Sequence, residues 1–487
     1  MGAGKTSAAR AAAAALGGRP ADSDQLIEAE LGMTIEAWFE HHGERAFRER
    51  EEALVLAMLD DPPAPVISLG GGAVTSERVQ AALARHTVVL LDVDADTAWQ
   101  RAGGRRPLAR DRRRFDELLA ARQPLYERLA DAILPTSRRE TLRHALPAIG
   151  RLADAPAGTK LLWAESASGN YPVYVGDGVR TFAPIAGRGF TISDEHVAAL
   201  YGPADHVMGA GEAHKTLGTA EAALRAMAQA GLAHGDHVRA VGGGVVGDVA
   251  GFCAAVYQRG IGVVQVPTTV VAQVDSAYGG KTGVDLPEGK NYAGAYHQPS
   301  AVLADTSTLA TLPEAESAAG WAEVVKTALI AGGALWRRVH EAPVVDRDVV
   351  LACARTKLAV VAEDERDAGR RQTLNLGHTV GHAIETATDY RRYRHGEAVG
   401  LGLLAAMSLS NQPGLRADVE RLLAGRGLPT RLDPAVDLAA VRAAIERDKK
   451  RRDGRVGFVL VEAPGELDTG IAVPEADLQA ALAELAR

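Results

Sequence analysis

Gly2-Ala3-Gly4-Lys5-Thr6-Ser7 opens the chain, and a run of this kind works only where a parallel β-strand hands over to a helix. A glycine turn at a helix N-terminus binds phosphate because its unpaired N–H groups converge on one point, aided by the helix dipole. Lys5 would reach the β- and γ-phosphates of ATP, and the Thr6 hydroxyl would hold Mg²⁺. The full pattern G-x-x-x-x-G-K-[ST] would place its first glycine two residues upstream of Met1. The chain therefore reads as one whose start is set late, without a strand of about six residues that should feed the loop.

At 487 residues the chain is expected to hold two or three domains. A net charge of -8 offers no general attraction to nucleic acid or anionic membrane, so small molecules are the expected partners. Cys253 and Cys353 lie far apart in Ala- and Val-rich surroundings and read as buried thiols of a reducing compartment. No stretch approaches the ~18 consecutive apolar residues of a membrane helix. The alanines at 11–15 lack the core and cleavage site of a signal peptide, and a cytoplasmic protein is expected.

Short apolar runs alternate with helical patterns over 1–150, a βαβ rhythm. Residues 151–160, "RLADAPAGTK", read as a linker. Strand-like runs recur over 161–310, among them "YPVYVGDG", "HVRAVGGGVVGD", "GIGVVQVPTT" and "SAVLAD". Over 311–487 helical patterns dominate, with one late strand-like run, "RVGFVLVEA". The expected fold class is α/β: a P-loop kinase-like parallel sheet, a Rossmann-like NAD-binding domain, and a mainly helical metal- and substrate-binding domain.

In the first third, "ADSDQLIE" sets Asp22 and Asp24 two apart, as strand-end carboxylates facing a metal or a substrate hydroxyl would be. Arg48 falls on a helix, Gly70-Gly71-Gly72 follows an apolar strand, and Arg122 sits in "ARQPLYERLAD". "GGRRPLARDRRR" packs six arginines into ten residues, either a solvated charge run or a lid over triphosphate. Together GAGKT, D-S-D, Phe47-Arg48-x-x-Glu51, the triple glycine, Arg106-Pro107-Leu108 and Arg122-x-x-Leu125-Tyr126 resemble shikimate kinase over essentially all of 1–135. The resemblance implies that Asp24, Arg48, Gly71 and Arg122 hold shikimate, with Asp24 beside the attacking hydroxyl. Residues 2–7 and Arg106 would hold the phosphates of ATP with Mg²⁺.

In the remainder, "VGGGVVGDVAGF" is a strand entering a glycine turn and then an apolar helix, which suits close approach of a pyrophosphate. "VPTTVVAQVDSAYGGKTGVDLPEGKN" offers Asp275, Lys281, Lys290 and Asn291 among glycines. Lysines buried in a glycine-rich loop point to an anionic ligand. His378 and His382 are i, i+4 and share a helix face, so spacing alone nominates both as Zn²⁺ ligands; His395 and Glu323 are further candidates.

These segments resemble 3-dehydroquinate synthase over roughly 165–465. The resemblance implies that Glu323, His378 and His395 hold Zn²⁺ or Co²⁺, leaving His382 catalytic beside Lys281, Lys326 and Asp275. It gives Asn291, Lys290, Arg371, Asn375 and Lys450 to the substrate, and lets Arg259 reach across the interface of a homodimer. NAD would lie on Glu212, Lys215, Gly244, Val245, Val246, Gly247, Asp248, Thr268, Thr269, Lys281, Lys290, Thr308 and Thr311. The implied reaction turns 3-deoxy-D-arabino-heptulosonate 7-phosphate into 3-dehydroquinate and phosphate by oxidation, elimination, re-reduction and aldol closure, with NAD regenerated. The rival readings are a sister sugar-phosphate cyclase or a metal-dependent polyol dehydrogenase, behind a non-catalytic P-loop module.

Overall fold

The computed structural model describes residues 2–102, 111–136, 138, 140–451 and 456–487, with side chains at 448–451 outside the description. It divides into two compact units, residues 1–164 and 165–487.

The first unit runs α1 (Lys5–Ala15), β1 (Ala21–Asp22), α2 (Ser23–Leu31), α3 (Ile35–Asp60), β2 (Ile67–Ser68), α4 (Glu77–Leu83), β3 (Val89–Asp92), α5 (Ala95–Ala102), α6 (Arg112–Leu129), β4 (Ala132–Pro135), α7 (Thr141–Gly150) and β5 (Lys160–Glu165). β1 pairs in parallel with β2, and β3, β4 and β5 pair in parallel in that order. One face of β3–β4 packs on α1 and α7 through Ala12, Leu134, Leu142 and Ala145. α3 is long because Thr34 caps its first turn, yet it breaks at Gly43, whose φ of 78° leaves the helical region. The division between units falls after Ala164, beyond the stretch 151–160 expected to be a linker. Part of that stretch forms a short 3₁₀ turn, and β5 then pairs with β4.

The second unit continues with β6 (Asn170–Gly176), β7 (Gly189–Asp194), α8 (Glu195–Tyr201), β8 (His206–Met208), α9 (Leu217–Gln229), β9 (His237–Gly242), α10 (Gly244–Val256), β10 (Gly262–Pro267), β11 (Lys281–Leu286), β12 (Gly289–Tyr296) and β13 (Ala301–Asp305). Helices then dominate: α11 (Glu314–Ala331), α12 (Gly333–Glu341), α13 (Arg347–Glu363), α14 (His378–Ala387), α15 (His395–Leu409), α16 (Pro413–Ala424) and α17 (Leu438–Arg451). A hairpin of β14 (Phe458–Ala463) and β15 (Glu466–Ile471) and the helix α18 (Glu475–Leu485) close the unit.

Six parallel strands lie in the order β6–β13–β10–β9–β7–β8. Val263, Val264 and Val266 of β10 are fully buried, as a strand covered on both faces requires. α10 packs beneath through Val249, Ala250, Cys253 and Ala254. Both cysteines are buried and free, and burial pushes the Cys253 thiol up to about 12.

α15 is apolar on every side and buried throughout its middle. It lies against α11 and α14 backbone to backbone. A Cβ on Gly396 would stand 1.8 Å from the carbonyl oxygen of Ala319, and one on Gly402 would stand 1.9 Å from that of Gly377. Gly402→Ala therefore has to part α15 from the start of α14, and is expected to cost about 3 kcal/mol in denaturant unfolding. An unchanged midpoint would show that the two helices have room to separate.

Two expectations are corrected here. Residues 281–296 are an antiparallel hairpin, β11–β12, and not a loop; Lys281 is exposed at its start. Deeply buried lysines do exist, but they are Lys215, Lys326 and Lys357. Asp24 does not end a strand: Asp22 does, and its carboxylate accepts the Asp24 amide at 3.1 Å, capping α2.

Candidate active sites

In the first unit a cleft of about 220 Å³ is lined by Gly2, Ala3, Gly4, Lys5, Thr6 and Ser7, with Asp22, Asp24, Ser68 and Arg101 opposite. Gly4 caps α1 in the left-handed region at φ 77°, a conformation only glycine adopts cheaply. The turn thus brings the start of α1, where the helix dipole favours an anion, to the floor of this cleft. Thr6 Oγ1 donates to Asp22 Oδ2 at 3.1 Å, which groups a hydroxyl and a carboxylate as a hydrated Mg²⁺ would need.

The other expected residues of this unit gather around the triple glycine. A Cβ on Gly72 would touch the Arg48 guanidinium, and one on Gly70 would stand 2.6 Å from both Asp24 and Glu51. Tyr126 donates to the Gly71 carbonyl at 2.7 Å. Arg122 acts electrostatically on both Tyr126 and Glu51. Glu51 was not among the expected site residues, yet it is buried and holds Arg48 at 2.5 Å. The i, i+3 spacing of the two on α3 was its signal. Arg106 lies outside the described residues.

In the second unit most of the expected NAD residues fall at the C-terminal ends of the parallel strands, where open α/β sheets bind ligands, while Lys281 and Lys290 lie on the hairpin β11–β12. Gly242 ends β9 and Gly243 caps α10, placing Gly244, Val245, Val246, Gly247 and Asp248 in its first turns. Thr268 and Thr269 follow β10; Thr308 and Thr311 follow β13. The buried hydroxyl of Thr268 has no hydrogen-bond partner, a donor left for a ligand. Lys215 pairs with Asp248 at 2.6 Å, and Lys290 with Glu212 at 3.2 Å. The carbonyl of Lys215 accepts the Asp285 amide at 2.8 Å, tying the hairpin to this edge.

Three helices supply the cluster beside it: Glu323 from α11, His378 from the start of α14, and His395 from the start of α15. One donor atom from each lies within 4.8 Å of the others. The Nε2 atoms of His378 and His395 stand 3.6 and 3.3 Å from Glu323 Oε1. His378 Nδ1 meets the Leu376 carbonyl at 3.1 Å, so its Nε2 is the nitrogen left facing Glu323. Glu323 is fully buried, and neither of its oxygens has a hydrogen-bond partner of good geometry. A fully buried carboxylate with one oxygen facing two imidazoles fits a divalent cation of the Zn²⁺ or Co²⁺ kind. Burial and the nearby Lys326 ammonium bring His378 down to about 3 and keep its ring neutral.

A row of charges runs inward from the cluster. Lys326 Nζ lies 2.5 Å from Glu323 and 3.1 Å from Asp275, and Lys357 Nζ bonds the Asp275 carboxylate. Burial alone would raise Asp275, but Lys326 and Lys357 hold it well below the ordinary carboxylate range. Asp275 stands in a π-helical turn at Ala272–Ser276, a backbone form common at functional sites. Arg371 is buried and bonds the carbonyls of Glu365 and Gly279, and its Nε lacks a partner.

The rings of His382 and His378 are 5.1 Å apart by centroid, and His382 is the more exposed. Lys281 pairs with Asp367 at 2.6 Å at the exposed start of the hairpin. Asn291 has φ 57° and its amide donates to Asp285. Asn375 ends a short 3₁₀ helix just ahead of His378. Arg259 is exposed in a left-handed turn after α10, and Lys450 lies in α17 with its side chain outside the description. Lys357 of the charge row, and Glu385, whose Oε2 stands 3.4 Å from His395 Nδ1, were not expected; nothing in their local spacing distinguished them from helix-surface residues.

Residues 205–319 match the sequence model of the 3-dehydroquinate synthase N-terminal domain, residues 320–451 that of its C-terminal domain, and residues 1–150 that of shikimate kinase. The chain is 47% identical to 3-dehydroquinate synthase of Halorhodospira halophila over 342 residues, 64% of this chain and 96% of that protein. It is 42% identical to the enzyme of Symbiobacterium thermophilum over 61% of this chain and 92% of the relative. Among solved structures it resembles 2-deoxy-scyllo-inosose synthase with carbaglucose-6-phosphate, NAD⁺ and Co²⁺ (25% identity, TM-score 0.59, covering 67% of this chain and 99% of that one). It also resembles 2-epi-5-epi-valiolone synthase of Streptomyces hygroscopicus with NAD⁺ and Zn²⁺ (28% identity, TM-score 0.59, covering 65% and 96%).

Proposed function

Because this chain belongs to the 3-dehydroquinate synthase family and carries a shikimate kinase domain ahead of it, we propose that it performs both reactions with the residues described above. The synthase releases phosphate from 3-deoxy-D-arabino-heptulosonate 7-phosphate and forms 3-dehydroquinate. The kinase moves the γ-phosphoryl group of ATP to shikimate. The observation that carries the synthase reading is the convergence of His378 and His395 on the fully buried carboxylate of Glu323, with one donor atom of each within 4.8 Å of the others.

NAD would be held by the strand-end residues of β9, β10 and β13 and would supply a hydride acceptor and donor that is restored in each cycle. Zn²⁺ or Co²⁺ would be held by Glu323, His378 and His395 and would supply Lewis acidity toward the hydroxyl oxygen on the carbon that is oxidised.

The chain's own groups do the rest. Lys326 is raised by Asp275 and Glu323 against the pull of burial, so it remains an ammonium inside the site. With Lys357 and Arg371 it offers fixed positive charge to the carboxylate and phosphate of the substrate. Asp275 holds both lysines in place. His382 stands beside the two histidine ligands and moves the proton of the substrate hydroxyl. Lys281, Lys290 and Asn291 come from the hairpin and bind the phosphate end. Arg259 reaches the site of a second copy in a homodimer.

In the kinase unit, Lys5, the α1 N-terminus and Arg106 hold the phosphates, Thr6 and Asp22 hold Mg²⁺, and Asp24 accepts hydrogen from the attacking hydroxyl. Arg48 and Arg122 hold the shikimate carboxylate. Among the described residues no helix is long and apolar enough to cross a membrane.

The test is phosphate release from the heptulosonate phosphate by the full chain. Treatment with a chelator is expected to abolish it, and Zn²⁺ or Co²⁺ to restore it, with no net NADH formed. Net NADH accumulation with a polyol would replace this reading by a dehydrogenase.

A further inference from the structure

We infer that Glu385 is a positioning residue of the metal centre, holding the Nδ1 side of His395 so that Nε2 faces Glu323. The inference rests on the reading of Glu323, His378 and His395 as a divalent-metal site.

Glu385 lies on α14, two turns beyond His378, and is 3% exposed. A carboxylate that deep is costly unless paired. Its Oε2 stands 3.4 Å from His395 Nδ1, while His395 Nε2 stands 3.3 Å from Glu323. The imidazole is thus gripped on one nitrogen by Glu385 and presents the other to the metal position. His378 achieves the same with the Leu376 carbonyl, which a main chain supplies without charge. His395 depends on a side chain. Outer partners of this kind fix the ring orientation and tautomer of a metal-bound histidine, and raise its basicity.

The other oxygen of Glu385 is 3.3 Å from Lys290 Nζ on β12. That ammonium also contacts Glu212 and lies 4.3 Å from the centre of the Tyr390 ring. The Tyr390 amide in turn donates to the Glu385 carbonyl at 2.9 Å, and Asp389 and Tyr390 are both left-handed, at φ 51° and 55°. Two successive non-glycine residues in that region are strained, and here the strain brings the ring under Lys290. A plain structural salt bridge would need only Lys290. The contact with His395 is what adds a function.

The two roles separate by experiment on the full chain, with Zn²⁺ as the probe in competition with a chromophoric chelator. Glu385→Ala is expected to weaken Zn²⁺ binding by roughly 10–100-fold. Glu385→Gln keeps an acceptor for Nδ1 and is expected to lose less, though measurably. Lys290→Met removes the other partner of Glu385 and is expected to bind Zn²⁺ as the unaltered chain does. The visible spectrum of Co²⁺ in the Ala variant should differ from that of the unaltered chain. Unaltered Zn²⁺ affinity in both Glu385 variants overturns the inference. So does a loss in Lys290→Met equal to that in Glu385→Ala, which would make the salt bridge the operative contact. Should the Ala variant not fold, unchanged affinity in Glu385→Gln alone overturns it. His395→Ala binding Zn²⁺ at full strength would instead sink the metal-site reading itself.

Discussion

Glu323→Gln is expected to lower phosphate release from the heptulosonate phosphate by about 10³-fold, while the same chain keeps its ATP-dependent phosphorylation of shikimate. Lewis acidity at the reacting oxygen is worth several kcal/mol, and each 1.36 kcal/mol is tenfold in rate. Glutamine preserves the volume of a fully buried side chain and removes its charge. The cost in stability is bounded. Breaking a buried pair costs about 3–5 kcal/mol when the remaining charge is stranded, but Lys326 keeps Asp275 at 3.1 Å. A domain with about 5–15 kcal/mol in hand survives that loss. Metal content, a melting curve and the phosphate assay on one preparation decide the matter. Full turnover with glutamine at 323 would remove Glu323 from the ligand set.

Lys5→Met is expected to reduce shikimate-dependent ADP formation by about 10²–10³-fold, the usual cost of removing one fixed donor to transition-state charge. Synthase activity is expected to stay at its full value, because Lys5 belongs to the compact unit 1–164 and the synthase residues to 165–487. Lys5 lines the cleft formed by the turn residues and the two aspartates. Its removal leaves the Gly4 cap and the Thr6–Asp22 bond standing, so the melting curve should change little. Equal ADP formation by both forms would reduce the first unit to a module that does not turn over shikimate.

Strands with β-branched runs are legible in the sequence itself. β9, β10 and β13 fall on "HVRAVG", "GVVQVP" and "AVLAD", each followed by the polar or glycine residues expected to meet a dinucleotide. The hairpin β11–β12 is not legible, because "KTGVDL" and "GKNYAGAY" break alternation with glycines and imitate a loop. β15 is hidden for a related reason: "ELDTGI" is mostly polar, and it is a strand because β14 lies beside it.

The cluster shows a different limit. Spacing nominates His378 with His382, since residues four apart share a helix face. Which of three neighbouring histidines joins Glu323 is decided by how α11, α14 and α15 cross, and only a family motif carries that information. Lys357 lies further out of reach. In "ARTKLAVVAEDE" it reads as a solvated helix position, and its burial arises from the packing of α13 on the π-helical turn of Asp275. Tertiary contact alone makes that lysine part of a site.

The glycines of α15 have a mechanical consequence. With Gly396 against the Ala319 carbonyl and Gly402 against that of Gly377, the helix bearing His395 rests on the main chains that lead to Glu323 and His378. The helices that carry the three proposed donors are thus spaced by main-chain contact, with side chains left to orient the rings. An incoming ion does not have to assemble the helices, so little of its binding free energy goes into ordering protein. The same spacing narrows tolerance: an ion of another size can be met only by rotating three side chains, and discrimination among metals is machined into the backbone.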